Sequence, residues 1–222
     1  MGTKKNNIWR LIKYITTLTA SIFVITTCAI LLFGNMRQND ASKYSYEVYR
    51  SRIEIAMGGC KDSIVSEIDS YINKIAPSSS LNGVMLFTLC DEYDIDVRFA
   101  MAQGEIESHF GTAGVAAKTN SVWNVKAYDG RSADDMNASG DGFSHPDHSI
   151  EPYLQLLKKS YLVNGKTEED MFVNFVSSSG HRYASSKTYE VAMLSTFNKI
   201  NDKTKLDELL VKYKHYKMII NN

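Results

Sequence analysis

Residues 97–110 read VRFAMAQGEIESHF, and this stretch decides the fold of the C-terminal part of the chain. At helical spacing it forms one apolar face, made by Val97, Ala100, Met101, Gly104 and Ile106. Gln103 and Glu107 are separated by one helical turn and share another face. We therefore expect a buried helix that directs the Glu107 carboxylate out of the core. Glu105 lies two residues away on nearly the opposite face, so we expect it to be exposed to solvent.

The composition of the whole chain is that of a globular protein. Its 222 residues are 44% hydrophobic and 11% aromatic, which is too apolar for a disordered chain. The 25 basic residues balance 25 acidic ones, and no basic block follows the extreme N-terminus, so we expect no nucleic-acid partner. An odd number of widely spaced cysteines excludes a disulfide framework and a Cys-x-x-Cys site: Cys28, Cys60 and Cys90.

No cofactor is expected, and no metal site. His145 and His148 stand close together with Asp147 between them, but no further ligand at convincing spacing completes a metal site. No Gly-x-Ser-x-Gly segment is present to carry the nucleophile of a serine hydrolase.

An apolar segment near the N-terminus predicts a membrane anchor. Residues 14–36 contain no charged side chain, and about 20 apolar residues at about 1.5 Å each span a bilayer core. Lysine and arginine residues precede the segment, whereas only Arg37 follows it closely. The positive-inside rule then predicts a single pass through the cytoplasmic membrane, with the N-terminus inside and the remainder extracytoplasmic, in the periplasm. A cleaved signal peptide is the alternative.

A helical linker separates this anchor from the C-terminal domain. Between residues 38 and 77, apolar residues recur at a helical spacing that Gly58-Gly59 interrupts, which predicts two amphipathic pieces with a break between them. They form either a stalk or an arm packed on the domain. A turn cluster begins at Pro77, so we divide the chain into an anchor at 1–37, a linker at 38–77 and a domain at 78–222.

The domain is predicted to be mostly α. Residues 81–93, 149–161, 167–175, 189–200 and 202–219 have helical patterns. Residues 111–146 are rich in Gly, Asn, Asp and Ser with short apolar fragments, which indicates a loop or a small β-lobe that could form one wall of a cleft.

Three segments of this domain resemble motifs of one family of cell-wall enzymes. Residues 102–112, AQGEIESHFGT, resemble the AQxxxESxxG helix end of glucosaminidase domains of glycoside hydrolase family 73, which cleave peptidoglycan. Residues 120–127, NSVWNVKA, are similar to that family's NNLFGIKA segment, and residues 183–189, YASSKTY, to its YATDPxY segment. The matches follow the family order and cover about residues 78–201. They imply a lysozyme-like α+β domain with a small β-lobe, in which Glu107 is the catalytic acid.

The chain departs from the family in its β-hairpin, which often supplies a second carboxylate and is much shortened between Ala127 and Phe143. Asp129 and Asp141 are the candidates for a second catalytic acid. Soluble lytic transglycosylases also have Glu-Ser at a helix end, but a GLMQ-like segment follows it there and is missing here. A lytic transglycosylase is thus the alternative enzyme. An inactive glycan-binding or assembly module is the alternative from another class.

The expected chemistry is cleavage of the β-1,4 bond after N-acetylglucosamine in peptidoglycan. Such cleavage needs a carboxylic acid that stays protonated near neutral pH, which a partly desolvated site provides. The 2-acetamido group of the sugar could assist, so that a second acid is not required. This substrate implies a bacterial or bacteriophage protein, and wall growth, division, phage entry and lysis all remain open as its setting, as does the oligomeric state.

Several polar and aromatic side chains are candidates for the rest of the site. Tyr183 is a further catalytic candidate because of its motif. Aromatic faces pack against sugar rings and amides orient them, so the candidates for substrate binding are Gln103, Asn120, Trp123, Tyr128 and Tyr189. Core packing is the alternative role for the aromatic residues, and turn formation is the alternative for Asn120.

Overall fold

The computed structural model describes residue 27, residues 43–125 and residues 132–221. The chain forms two compact units, Met1–Ile55 and Ala56–Asn222. In the first unit, residues 43–55 are helical and mostly exposed. No helix in the described parts of the chain is long and apolar enough to span a bilayer. Apart from Thr27, the predicted anchor at 14–36 lies outside the described residues.

The second unit is built from helices, which confirms the mostly α prediction. It begins with helical residues 56–75, named α1 here. The later helices are α2 (Gly83–Glu92), α3 (Val97–Ser108), α4 (Ala116–Thr119), α5 (Ala133–Ala138), α6 (Ile150–Leu156), α7 (Glu168–Met171), α8 (Tyr189–Lys203) and α9 (Leu206–Asn221). A 3-10 turn at Pro146–Ser149 leads into α6, and a π-helical turn at Leu157–Tyr161 leaves it.

The small β-lobe predicted for residues 111–146 is not found in the described parts of that stretch, 111–125 and 132–146. They contain α4 and α5 and no strand. Some of the polar residues that indicated a loop or a small β-lobe serve as helix ends instead. Ser132 and Asp135 form a capping box at the start of α5, and Asn120 ends α4 in the left-handed conformation.

Helix α1 belongs to the core of the second unit, so the predicted break at Gly58-Gly59 is wrong. The helix continues through both glycines. Two glycines cost a helix about 2 kcal/mol relative to alanine, and the burial of apolar side chains along α1 offsets that. The buried side chains are Cys60, Ile64, Ile68, Tyr71 and Ile72. Residues 56–75 are therefore an arm packed on the domain and not a stalk. The compact unit begins at Ala56 rather than at Ser78.

Helix α3 lies at the centre of this unit, as its sequence predicts. Asp96 caps its N-terminus by accepting a hydrogen bond from the Arg98 amide. Nearly every residue from Val97 to Glu105 is buried, and the helix packs against α8 and α2. It ends where His109 and Phe110 both take left-handed backbone conformations, with φ of 50° and 54°. Since Phe110 is fully buried, this sharp turn is held by the core.

Candidate active site

The Glu107 carboxylate lies at the C-terminal end of α3 and is partly buried. Its Oε1 accepts a hydrogen bond of 2.5 Å from the Tyr189 hydroxyl on α8, and its Oε2 accepts one of 3.0 Å from Asn124 Nδ2. Gln103 Nε2 donates to the same Tyr189 oxygen, at 3.1 Å. The predicted shared face of Gln103 and Glu107 is therefore confirmed.

The surroundings of Glu107 favour its protonated form. Burial raises the pKa of this carboxyl group, the hydrogen bonds from Tyr189 and Asn124 lower it, and the net result is a pKa above the ordinary glutamate value. The position in the last turn of α3 acts in the same direction as burial, because the C-terminal end of a helix carries partial negative charge. The two groups that bind the carboxylate in the described parts of the chain, a phenol and an amide, are both neutral.

A chain of buried hydrogen bonds sets the direction in which Tyr189 donates. The Tyr153 hydroxyl donates to Gln103 Oε1 at 2.6 Å, which leaves the Gln103 amide nitrogen facing Tyr189. Because the Tyr189 oxygen accepts from this amide, its own proton points to Glu107. Gln103 is fully buried, so the prediction that it binds substrate is wrong. Its side chain instead orients Tyr189.

Tyr183 stacks on Tyr189 and supports it. The two rings lie 5.8 Å apart with an interplanar angle of 23°, and Tyr183 also stacks on Phe175 at 4.7 Å. The Tyr183 hydroxyl donates to the backbone oxygen of Trp123 rather than to Glu107. Burial raises the pKa of both tyrosines, and the nearby Glu107 charge adds to this, so both stay neutral. Tyr189, predicted to bind substrate, thus contacts the catalytic candidate directly.

Trp123 is a core residue, which contradicts its predicted role as a sugar platform. It is fully buried, its Nε1 donates to the Ala100 backbone oxygen at 2.9 Å, and its ring stacks on Tyr153 at 4.5 Å. A ring covered in this way has no face for a ligand. Trp123 packs against α3, and this packing holds the next residue, Asn124, beside Glu107.

The remaining candidates lie elsewhere or outside the described residues. Asn120 ends α4, and its Nδ2 donates to the Phe143 backbone oxygen at 2.8 Å, as expected for a residue that forms a turn. Asp141 accepts a hydrogen bond from Ser139 in the turn after α5. Tyr128 and Asp129 lie outside the described residues. Asp141 and Asp129 therefore remain predictions as a second acid.

Asn124 belongs to the site although no sequence pattern predicts a role for it. Within the loop it reads as another turn residue, and its backbone φ of 51° agrees with that. Its proximity to Glu107 arises only when the loop folds back onto the end of α3. There the Ser108 hydroxyl donates to the Val122 backbone oxygen at 2.6 Å, which joins loop and helix.

Glu105 is buried, so the prediction that it is exposed is wrong. Its Oε2 accepts a 2.7 Å hydrogen bond from the Tyr71 hydroxyl on α1, and its Oε1 forms an ion pair with Lys199 on α8. The opposite face of α3 is therefore covered rather than solvated. Glu105 ties three helices together, whereas the hydrogen-bond partners of Glu107 among the described residues include no cation.

Comparison with known proteins adds no family to these observations. The chain matches no model of a protein family, and a search of curated proteins finds no relative. Among the residues that the structure describes, no group of three or more His, Cys, Asp or Glu side chains could hold a metal ion.

Proposed function

We propose that this protein is a glycoside hydrolase of peptidoglycan, an endo-β-N-acetylglucosaminidase with a lysozyme-like fold and Glu107 as general acid. One observation carries the proposal. The Glu107 carboxyl group, whose pKa is raised by burial, lies at the end of a buried helix and accepts hydrogen bonds from two neutral donors. General acid catalysis of glycoside cleavage needs such a group. The three sequence motifs agree with it, since Glu107, Asn124 and Tyr189 come from one motif each.

In the proposed reaction, protonated Glu107 donates its proton to the oxygen of the scissile β-1,4 bond. The carboxylate that results keeps its hydrogen bonds from Tyr189 and Asn124, so the negative charge that develops is stabilised where it forms. The oxocarbenium-like centre is stabilised by the 2-acetamido group of the substrate or by a second acid, for which Asp129 and Asp141 are candidates. Water then completes hydrolysis, with Glu107 as the base that takes its proton.

The cellular setting is part of the same proposal. Residues 14–36 would anchor the chain in the lipid bilayer of the cytoplasmic membrane, with the second unit in the periplasm, where the glycan strands of peptidoglycan are its substrate. The same enzyme carried by a bacteriophage, or held in a virion, would act on the same bond. An anchor would confine a potentially lytic activity to the wall within its reach.

A lytic transglycosylase is the second candidate. The described part of the site supports it because Glu107 supplies the one carboxyl group found there. Within the described parts of the chain, the side chains that bind the Glu107 carboxylate are a phenol and an amide, and neither is a carboxyl group. A single carboxyl group could protonate the leaving oxygen and then accept the proton of the 6-hydroxyl of the same sugar, which attacks the anomeric carbon as the glycosidic bond breaks. That reaction leaves 1,6-anhydro ends in place of reducing ends.

The test is digestion of purified peptidoglycan by the full-length chain in detergent, with the products identified by mass spectrometry. Glu107→Gln is the inactivating variant, and Glu92→Gln is its matched control, because Glu92 is an exposed glutamate in the last turn of α2. We expect reducing N-acetylglucosamine ends from the wild type and the control but not from Glu107→Gln. Products with 1,6-anhydro ends would replace the proposal by the transglycosylase. A folded chain that binds the polymer without cleaving it would make the protein a binding module.

A further inference from the structure

Asn124 occupies a position at which the similar family motif has glycine, a residue without a side chain. In the segment NSVWNVKA, Asn124 takes the place of the glycine in the NNLFGIKA motif that the segment resembles. Its backbone φ of 51° lies in the left-handed region, which glycine enters freely and asparagine tolerates better than most residues. The backbone therefore has a conformation that suits glycine, while the chain carries an amide there.

This amide is aimed at Glu107 by two contacts. Asn124 Nδ2 donates both to the backbone oxygen of Glu107 and to its carboxylate Oε2, each at 3.0 Å. Because both partners are acceptors, the nitrogen rather than the oxygen of the amide must face them. The other atom, Oδ1, is buried and has no hydrogen-bond partner among the residues that the structure describes. A buried acceptor without a hydrogen bond lowers the stability of the fold. The amide keeps this orientation because its nitrogen donates to both acceptors of Glu107.

We propose that Asn124 is a positioning residue that holds the Glu107 carboxylate in one orientation and favours its ionised form. Among the residues that the structure describes, the other titratable groups that face Glu107 are the hydroxyls of Tyr153 on α6, Tyr183 before α8 and Tyr189 on α8, all neutral. Asn124 and Tyr189 are thus the two groups that stabilise the carboxylate against burial. Without the amide, Tyr189 is the one donor to the carboxylate that remains among the described residues, and Glu107 holds its proton to higher pH.

The catalytic consequence rests on the proposed function. Cleavage requires protonated Glu107, so activity falls on the alkaline side as this group ionises. With Asn124 present, activity on the alkaline side falls at a lower pH than it would with glycine at this position. The amide would thereby narrow the pH range in which the enzyme cleaves its substrate, and in exchange it would stabilise the carboxylate formed by proton transfer.

The experiment is a titration of Glu107 in the full-length chain, in detergent micelles, with ¹³C-labelled glutamate. The Glu107 carboxyl resonance is assigned by its loss in Glu107→Gln. We expect Asn124→Gly to raise the midpoint by about one pH unit, the size expected for one hydrogen bond to a charged group. The matched control is Asn164→Gly, an exposed loop asparagine with a φ of 56°, which should leave the midpoint unchanged. A midpoint that stays or falls in Asn124→Gly would overturn the proposal.

A second variant covers the case in which Asn124→Gly does not fold. Asn124→Asp keeps the size of the side chain and tolerates the left-handed backbone, but it replaces the amide donor by a carboxyl group. This new carboxyl group and Glu107 titrate as a pair, and the higher of their two midpoints should exceed the Glu107 midpoint of the wild type. An unchanged midpoint would again overturn the proposal. The titration needs no turnover, so a chain that fails to digest peptidoglycan refutes the proposed function alone. An active chain whose alkaline limb ignores Asn124→Gly refutes the role of Asn124 alone.

Discussion

A fragment that starts at Ser78 should not fold, although the sequence places a domain boundary there, whereas a fragment that starts at Ala56 should. The reason is α1, which residues 56–75 form within the second unit. Three isoleucines of this helix, Ile64, Ile68 and Ile72, are at most 2% exposed. Removing α1 takes away its contacts with α3 and the turn after it, where Tyr71 binds Glu105 and its ring meets Phe110, and with α9, where Cys60 donates to the Leu209 backbone oxygen.

The magnitude follows from these side chains. Full burial of an isoleucine stabilises a fold by about 1.5–3 kcal/mol, so the three together contribute about 5–9 kcal/mol. The whole free energy of unfolding of a domain of this size is about 5–15 kcal/mol. Truncation also removes Tyr71 and with it a hydrogen bond to the buried carboxylate of Glu105. The loss is therefore comparable to the total stability.

Thermal unfolding followed by circular dichroism gives the measurement. We expect a cooperative transition for the fragment 56–222 and none for 78–222. In the full-length chain, Ile68→Ala should lower the free energy of unfolding by about 2–5 kcal/mol. Ile55→Ala, the same change at a residue that is 75% exposed, should alter it little. A cooperative transition of the Ser78 fragment at the temperature of the longer one would refute the assignment of α1 to the core.

Two further predictions concern the two glutamates of α3. Because burial raises the pKa of Glu107 in the folded state, its ionisation costs stability as the pH rises from about 4.3, the unfolded value, through the folded pKa. Glu107→Gln should therefore raise the melting temperature at pH 7 but not at pH 4, and a lower value at pH 7 would contradict this. Lys199→Met leaves the Glu105 carboxylate buried without its cation, which should cost about 2 kcal/mol in urea unfolding since Lys199 itself is partly exposed. Adding Glu105→Gln should restore part of that loss, and a purely additive double variant would show that the pair is not coupled.

The helices and the face of α3 were predictable because they follow from local spacing. Gln103 and Glu107 are one turn apart, and they meet at Tyr189 as that spacing requires. The exposure of Glu105 was not predictable in this way. Helical geometry places it opposite Glu107, but whether that side meets solvent depends on α1 and α8, whose positions a local pattern does not contain.

The errors at Gly58-Gly59 and Trp123 have related causes. Glycine propensity is a local cost of about 1 kcal/mol per residue, and distant packing of α1 exceeds it. An aromatic residue in a motif can line a cleft or fill the core, and only the stacking of Trp123 on Tyr153 decides between them. Asn124 was overlooked for the same reason, because its contact with Glu107 joins a loop to a helix 17 residues earlier.

The burial of α3 on nearly all sides has a consequence for how such a protein can change. Substitutions on this helix disturb either the core or the Glu107 site, which leaves little room for neutral variation there. The described parts of the stretch from 111 to 146, residues 111–125 and 132–146, carry short helices and more exposed turns, and they reach the site through Asn124. Attempts to alter substrate preference by directed evolution should therefore randomise this stretch and keep α3 constant.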